Sequence, residues 1–191
     1  MVYWPGITDQ LDGSWRRNDA LLYNIDLAPT LCELVGVDAP ADWQGASFAD
    51  AVRGKPIPTR DYLVLGHGAH TYQRAVRTRD HLYIRTYHPG AFRAEGEQLF
   101  DVTSDPSLTR DLLGDEPALA DAMRARLLEW WMRWAGEPGA LPDPMLTTLQ
   151  TGPVFYNDPG RYAHHLRQTG RGHLALDLEE RLQSAASGVP V

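Results

Sequence analysis

The chain has a single cysteine, no long apolar run and no cluster of basic residues. One cysteine, Cys32, excludes the framework of internal disulfides that marks small secreted folds. No run approaches the roughly 20 apolar residues of a membrane-spanning helix. The N-terminus also lacks the charged segment and apolar segment of an export signal. These absences predict a soluble protein that does not enter a membrane, with the cytoplasm as its default location.

Composition and charge narrow the class of protein further. The 191 residues include 18 basic and 25 acidic side chains, which gives a formal net charge of −7, and 43% of the residues are hydrophobic. This composition is typical of a globular protein. An acidic balance without Lys/Arg clusters argues against nucleic acid as a partner.

The segment Asn24–Gly36, NIDLAPTLCELVG, carries the clearest local signals of a helix. Asp26 is expected to cap the first turn with its carboxylate, and Pro29 falls early enough to cost no intrahelical hydrogen bond. Gly36 is expected to end the helix in the left-handed conformation. An apolar stripe predicts that one face of this helix is buried against a sheet. The stripe comprises Leu27, Leu31, Leu34 and Val35.

Four strand-forming runs follow, and together they predict an antiparallel sheet of about four strands. The second and third runs flank Arg79-Asp80 as a hairpin, so Tyr83, Arg85 and Tyr87 are expected to share one face. The glycine-rich Gly66–His70 is expected to be a loop at a strand end. The runs are Tyr62–Leu65, Gln73–Thr78, His81–Tyr87 and Gln98–Val102.

A long helix is predicted to open at Asp115-Glu116-Pro117 and to end at Gly136. Its apolar stripe should cover one face of the sheet, which makes the fold class α+β. Trp131 lies off the stripe and is therefore expected to be the exposed ring. Two short helices are expected further on, over Arg161–Gln168 and His173–Ser184. The stripe comprises Leu119, Met123, Leu127, Trp130 and Trp134.

Three motifs occur in an order that resembles the sulfatase family, of the arylsulfatase or N-sulfoglucosamine sulfohydrolase type. The first is WPG at Trp4–Gly6, followed by DLAPTLCELVG and by QGASF at Gln44–Phe48. The second is RAVRTRDHLYIR at Arg74–Arg85, and the third is QLFDVTSDPSLTRDLL at Gln98–Leu113. The tail from Asp143-Pro144-Met145 onwards also resembles that of some bacterial sulfatases, and no chemistry is assigned to it.

The resemblance implies the C-terminal part of an alkaline-phosphatase-like sulfatase fold. Residues 1–58 would then be the edge of the catalytic domain, with its last strand, the DLAPT helix and a connecting arm. Residues 59–135 would form the C-terminal antiparallel sheet with its covering helix. Residues 136–191 would be an irregular tail with short helices.

The family's chemistry, by the same resemblance, uses formylglycine made from Cys or Ser in C-x-P-S-R. It also uses Ca²⁺ or Mg²⁺ held by an Asp pair and a later D-x-G-x-H/N. Neither motif is in the sequence, and Cys32 lacks Pro, Ser and Arg at the required offsets. We therefore expect no catalytic residue, metal ligand or cofactor site in this chain. A missing N-terminal catalytic segment is expected to supply them, for hydrolysis of a sulfated small molecule or carbohydrate.

His67 and His70 are the best candidates for direct contact with substrate. Two histidines three residues apart in a glycine-rich loop can face one cavity, and histidine suits hydrogen bonding to an oxyanion near neutral pH. Tyr72 and Arg74 follow at once and are expected to complete the same pocket wall. The alternative is a solvated loop without a role. A zinc site is disfavoured, because the remaining pair His164-His165 cannot share one helical face.

Two other functions stay open at this point. A related phosphonate or phosphodiester hydrolase would have the same C-terminal pattern and would differ in the segment that carries the nucleophile. Alternatively, the chain is a binding or assembly module without catalysis.

Overall fold

The structure is a computed structural model that describes residues 2–10, 17–68, 71–89, 94–136, 143–146 and 159–186. Its α-helices are α1 Leu27–Val35, α2 Ala49–Val52, α3 Pro117–Ala135, α4 Pro159–Gln168 and α5 Gly172–Ala186. Its strands are β1 Leu63–His67, β2 Tyr72–Arg77, β3 His81–His88 and β4 Glu97–Asp101. Two compact units result, Met1–Leu63 with Arg77–Arg79 and Val64–Val76 with Asp80–Val191. The predicted three-part division at residues 58 and 135 stays a prediction.

Helix α1 follows a 3₁₀ turn at Asn24–Asp26 and ends where the sequence predicts. Gly36 has a φ of 77°, in the left-handed region, and the Val37 N–H donates to the Cys32 carbonyl at 2.9 Å. The predicted cap of α1 by Asp26 is wrong. The Asp26 carboxylate turns back and accepts a hydrogen bond from the Tyr23 N–H at 2.8 Å, so it closes the 3₁₀ turn ahead of α1.

The predicted burial of the apolar stripe of α1 is also wrong within this chain. Leu27, Leu31 and Val35 are 46%, 42% and 61% exposed, while the helix buries Pro29 and Thr30. The physical reason is that the described part of the chain leaves this face largely uncovered and packs against Pro29 and Thr30 instead. The Thr30 hydroxyl donates to the Asp26 carbonyl at 2.6 Å and accepts from the Phe48 N–H at 2.9 Å.

Gly45 allows the chain to approach the 3₁₀ turn closely enough for these contacts. A Cβ added at Gly45 would lie 2.2 Å from the Ile25 carbonyl oxygen, far inside van der Waals contact. The next residue, Ala46, donates its N–H to Asp26 Oδ1 at 2.8 Å. The QGASF motif therefore has a structural role: its glycine admits the backbone and its N–H groups bind the start of α1.

The four strands form one antiparallel sheet, as predicted, and the structure shows that their order is β1-β2-β3-β4. In the pairing of β3 with β4, Tyr83 lies opposite Leu99 and Arg85 opposite Glu97. Strand β1 continues through Gly66 and His67, so the predicted loop begins later than expected. Gly66 has no close neighbour that would require a glycine, and backbone pairing at the edge of the sheet overrides its low strand propensity.

The core of the larger unit joins one face of the sheet to α3. Tyr72, Val76, Tyr83 and Leu99 are buried on the strands, and Ala120, Met123 and Leu127 are buried on α3. The α+β fold class is thereby confirmed.

In the last turns of α3, one residue that was predicted to be buried is exposed. Trp134 continues the apolar stripe but is 38% exposed, as is Trp131, so its predicted burial is wrong. The exposure of Trp131 is confirmed. Trp130 is half-buried, with its ring centre 6.4 Å from that of Trp134. Helical periodicity identifies the face of a helix, but it does not show where along the helix the cover ends.

Helices α4 and α5 form a hairpin with a small core of its own. Ala163, Leu166, Ala175 and Leu178 are buried between them, and Tyr162 and Leu182 pack against this cluster. The two short helices predicted in the tail are confirmed. In the described ranges, none of the helices has the length and apolar character needed to cross a membrane.

Candidate functional site

Two of the predicted substrate-contacting residues, His67 and Tyr72, lie at the end of the sheet where β1 passes to β2. His67 is the exposed last residue of β1, and its Nδ1 lies 3.0 Å from the Thr71 hydroxyl oxygen. The Thr71 hydroxyl donates to the Gln73 side-chain oxygen at 3.1 Å. The Gln73 amide in turn donates to the Thr86 hydroxyl oxygen at 3.0 Å. These contacts form a polar chain along one face of β2 and β3.

Tyr72 and Arg74 lie on the other face of β2, because successive side chains of a strand point to opposite faces. Tyr72 is buried, with its ring edge-on to that of His88 at 6.2 Å between ring centres. Burial raises the pKa of Tyr72 and lowers the pKa of His88, since it disfavours the charged form of each.

Among the described residues, His67 is thus not on the same wall as Tyr72 and Arg74. The polar contacts of His67 belong to the face of Gln73, whereas Tyr72 and Arg74 face the opposite way. His70 lies outside the described residues. Contact of His67, His70, Tyr72 and Arg74 with a substrate stays a prediction.

Arg74 leads to a feature that sequence reasoning missed, a cavity of about 440 Å³. We call it the α3 cavity. It is lined by residues of β2, β3 and α3 and by the short segment 143–146. Tyr83, Arg85 and Tyr87 all line it, which confirms that these three residues share one face of β3. Its other charged and aromatic lining residues are Arg74, Arg124, Trp131 and Asp143.

Arg74 is fixed at the wall of the α3 cavity by two partners. Its Nη2 donates to both carboxylate oxygens of Asp143, at 2.5 and 2.7 Å. Its guanidinium carbon lies 4.8 Å from the centre of the Trp130 ring, in cation–π geometry. The Arg74 and Asp143 side chains are only 12% and 16% exposed. The Asp-Pro-Met motif is therefore attached to the sheet through Arg74, which no local pattern indicates.

A second group of ion pairs joins two lining residues of the cavity, Arg85 and Arg124, to Glu97, which is not part of the lining. Arg85 pairs with Glu97 across the β3–β4 ladder, and Arg124 of α3 donates from Nε to the other oxygen of Glu97 at 2.8 Å. The hydrogen bond from Arg124 is the main cause that holds the pKa of Glu97 below its usual value. Burial, with the nearby charge of Glu97, raises the pKa of Tyr83. Glu97 is therefore an anion shared by two arginines.

The described residues supply no metal centre. In the ranges that the structure covers, no group of three or more His, Cys, Asp or Glu side chains is close enough to hold an ion. Cys32 lies on α1 and is half-buried. These residues do not fit the metal or the formylglycine that the resemblance implies for a whole enzyme. What the site does offer is fixed guanidinium groups beside aromatic rings. A guanidinium group can donate hydrogen bonds to an anion, but it is not a nucleophile.

Comparisons with known proteins agree with one another in matching this chain to sulfatases. The model of the family described as N-sulphoglucosamine sulphohydrolase, C-terminal, matches residues 1–131. A curated protein of Bacteroides thetaiotaomicron, named Delta 4,5-hexuronate-2-O-sulfatase, is 34% identical over 97 residues, which are 48% of this chain and 19% of that protein.

Solved structures show the same partial overlap. The structure of a 2-O GAG sulfatase is similar with a TM-score of 0.52 and 26% identity, over 68% of this chain and 30% of that one. A structure in complex with its substrate D-glucosamine-2-N,6-O-disulfate is similar with a TM-score of 0.48 and 22% identity, over 56% of this chain and 23% of that one. The chain thus spans less than a third of the length of these relatives.

Proposed function

Because the chain belongs to the family of N-sulphoglucosamine sulphohydrolase C-terminal domains, we propose that it is the C-terminal portion of a sulfuric ester hydrolase, a sulfatase. The observation that carries the proposal is the family match over residues 1–131, which spans α1, the whole sheet and most of α3. The likeness to the 2-O GAG sulfatase structure supports the same fold, the alkaline-phosphatase-like fold of sulfatases.

The proposed division of labour places the reacting groups on a separate catalytic segment. The C-x-P-S-R and D-x-G-x-H/N motifs are not in the 191 residues, so formylglycine and Ca²⁺ or Mg²⁺ would belong to that segment. This chain would supply stability and part of the wall of the substrate pocket. Its arginines and histidines suit that role, because each can donate hydrogen bonds to a sulfate or to a sugar hydroxyl.

The proposed substrate is a sulfated sugar. Two relatives support this class, since one is named a hexuronate-2-O-sulfatase and another a 2-O GAG sulfatase. The proposed contacts on this chain are His67 at the end of β1, His70 three residues further on, and Tyr72 and Arg74 of β2.

The activity is tested in the polypeptide that carries a catalytic segment ahead of this chain. We expect it to hydrolyse 4-nitrophenyl sulfate, whereas the 191-residue chain alone should show no turnover above a heat-killed control. A phosphonate monoester and bis(4-nitrophenyl) phosphate are assayed in parallel. Turnover of either one without turnover of the sulfate would show that the enzyme is instead a related phosphonate or phosphodiester hydrolase. Turnover by the chain alone, retained after dialysis, would contradict the division of labour.

The histidine loop is tested in the same polypeptide by His70→Ala. We expect kcat/KM to fall at least about tenfold, or about 1.4 kcal/mol, with little change in the melting temperature. A donor that faces a developing oxyanion loses its effect when truncated, while a histidine in a predicted glycine-rich loop is expected to have little packing to lose. His164→Ala, on the exposed side of α4, is the control. Normal kinetics with a lowered melting temperature would show a structural loop.

A further inference from the structure

We propose that the α3 cavity binds a pyranose ring that carries an acidic group, either a carboxylate or a sulfate. Arg74 and Arg85 would hold the acidic group, and Trp131 would lie against the face of the ring. The proposal concerns binding alone, so it does not require that the chain be part of a sulfatase.

The size of the α3 cavity suits such a ligand. Its volume of about 440 Å³ lies in the range of small-molecule sites, roughly 300–1,000 Å³. Its lining combines apolar side chains, such as Leu127 and Leu128 of α3, with a few charged groups. Sites for small ligands have this composition, in which apolar walls give contact and a few polar groups give orientation.

The charge of the lining favours an anion. Three guanidinium groups, those of Arg74, Arg85 and Arg124, line the cavity together with one carboxylate, that of Asp143. Glu97 pairs with Arg85 and Arg124 but is not itself part of the lining. Asp121, the other partner of Arg124, is not part of the lining either, so an anion in the cavity would meet three guanidinium groups and one carboxylate at its wall.

Within the part of the chain that the structure describes, Arg74 has further donors for that anion and is already fixed in place. Both of its hydrogen bonds to Asp143 come from Nη2, so Nη1 and Nε have no hydrogen-bond partner within the described part of the chain. Asp143 on one side and the Trp130 ring on the other restrict the guanidinium. A pre-ordered arginine loses little conformational entropy on binding, which makes its remaining donors effective.

The aromatic rings argue for a ring-shaped ligand rather than a bare anion. Trp131 and Tyr87 both line the cavity and remain 38% and 44% exposed. An inorganic anion would use the arginines and leave these rings in water. A purely apolar ligand would cover the arginine N–H groups without giving them an acceptor, which costs free energy. An acidic sugar has both an acceptor group and a C–H face that can cover an aromatic ring.

Binding is tested on the 191-residue chain itself by isothermal titration with D-glucuronate, D-glucose 6-sulfate and D-glucose. We expect one or both of the acidic sugars to bind and glucose to bind at least about tenfold more weakly, because a charge-assisted hydrogen bond is lost. The two acidic sugars distinguish a carboxylate ligand from a sulfate ligand, and binding of either supports the proposal. Binding of neither, or equal binding of glucose, would overturn it.

Variants then locate the site. Arg85→Gln should weaken binding about tenfold while the fold is kept, since Arg124 still pairs with Glu97. Trp131→Ala should also weaken binding. Trp134→Ala is the matched control, because Trp134 is equally exposed at 38% and does not line the cavity. If neither Arg85→Gln nor Trp131→Ala changes the affinity, or if Trp134→Ala changes it as much, the ligand binds elsewhere and the proposal is wrong.

Discussion

Replacing Asp26 by Ala should destabilise the unit that contains α1 by about 3 kcal/mol. The Asp26 side chain has no exposed surface, and it accepts hydrogen bonds from Arg60 Nη1 at 2.7 Å and Nη2 at 2.8 Å. It also accepts the backbone N–H groups of Tyr23 and Ala46, each at 2.8 Å. Truncation of one partner of a buried ion pair costs roughly 3–5 kcal/mol, because the other charge stays uncompensated. Arg60 is 28% exposed and can gain water, which places the loss at the lower end.

The contribution of Asp26 should depend on pH in a defined direction. Burial by itself would raise the pKa of Asp26, but hydrogen bonds from Arg60, Ala46 and Tyr23 outweigh it and hold this pKa below 3.8. The unfolded chain therefore takes up the proton first as the pH falls. The stabilisation is complete above pH 3.8 and is lost as the pH falls through the lower pKa of the folded state. The difference in stability between wild type and Asp26→Asn should shrink over that acidic range.

Urea denaturation followed by circular dichroism measures both effects, and hydrogen exchange of the Ala46 and Phe48 amides assigns them to this site. Asp19→Ala is the control, since Asp19 pairs with an Arg17 side chain that is 89% exposed, and we expect no measurable change. The double variant Asp26→Ala/Arg60→Met should recover part of the loss, because it removes the uncompensated guanidinium. A loss for Asp26→Ala no larger than for Asp19→Ala, or a difference for Asp26→Asn that is independent of pH, would refute the reasoning.

Two further substitutions, each with a control, test other contacts. Gly45→Ala should cost about 1–3 kcal/mol in a urea melt, because its Cβ would overlap the Ile25 carbonyl oxygen. Gly66→Ala is the control and should not reduce stability, since Gly66 has open space around it, and equal melts of the two variants would disprove the close approach at Gly45. Trp130→Ala should lower the free energy of unfolding by about 2 kcal/mol or more, since the half-buried ring packs under Arg74. Trp131→Ala should lower it less, and the reverse order would show that the buried side of α3 is misassigned.

The sequence by itself determined the features that depend on neighbouring residues. Gly36 ends α1 because a residue without a Cβ takes the left-handed conformation at little cost, and Pro117 opens α3 because a first-turn proline breaks no hydrogen bond. The alternation of β3 likewise follows from the strand period of two, which placed Tyr83, Arg85 and Tyr87 on one face. Motifs spread along the chain identified the family.

Only the tertiary structure decided which distant groups meet. Asp26 binds Arg60, which is 34 residues further on, and Arg74 binds Asp143, which is 69 residues further on. Such pairs depend on where the whole chain closes on itself, and no local spacing encodes that closure. The same limit explains why the predicted burial of the apolar stripe of α1 and of the Trp134 ring was wrong. Periodicity shows which face of a helix is apolar, but what covers that face, and how far along the helix, depends on elements that are remote in sequence.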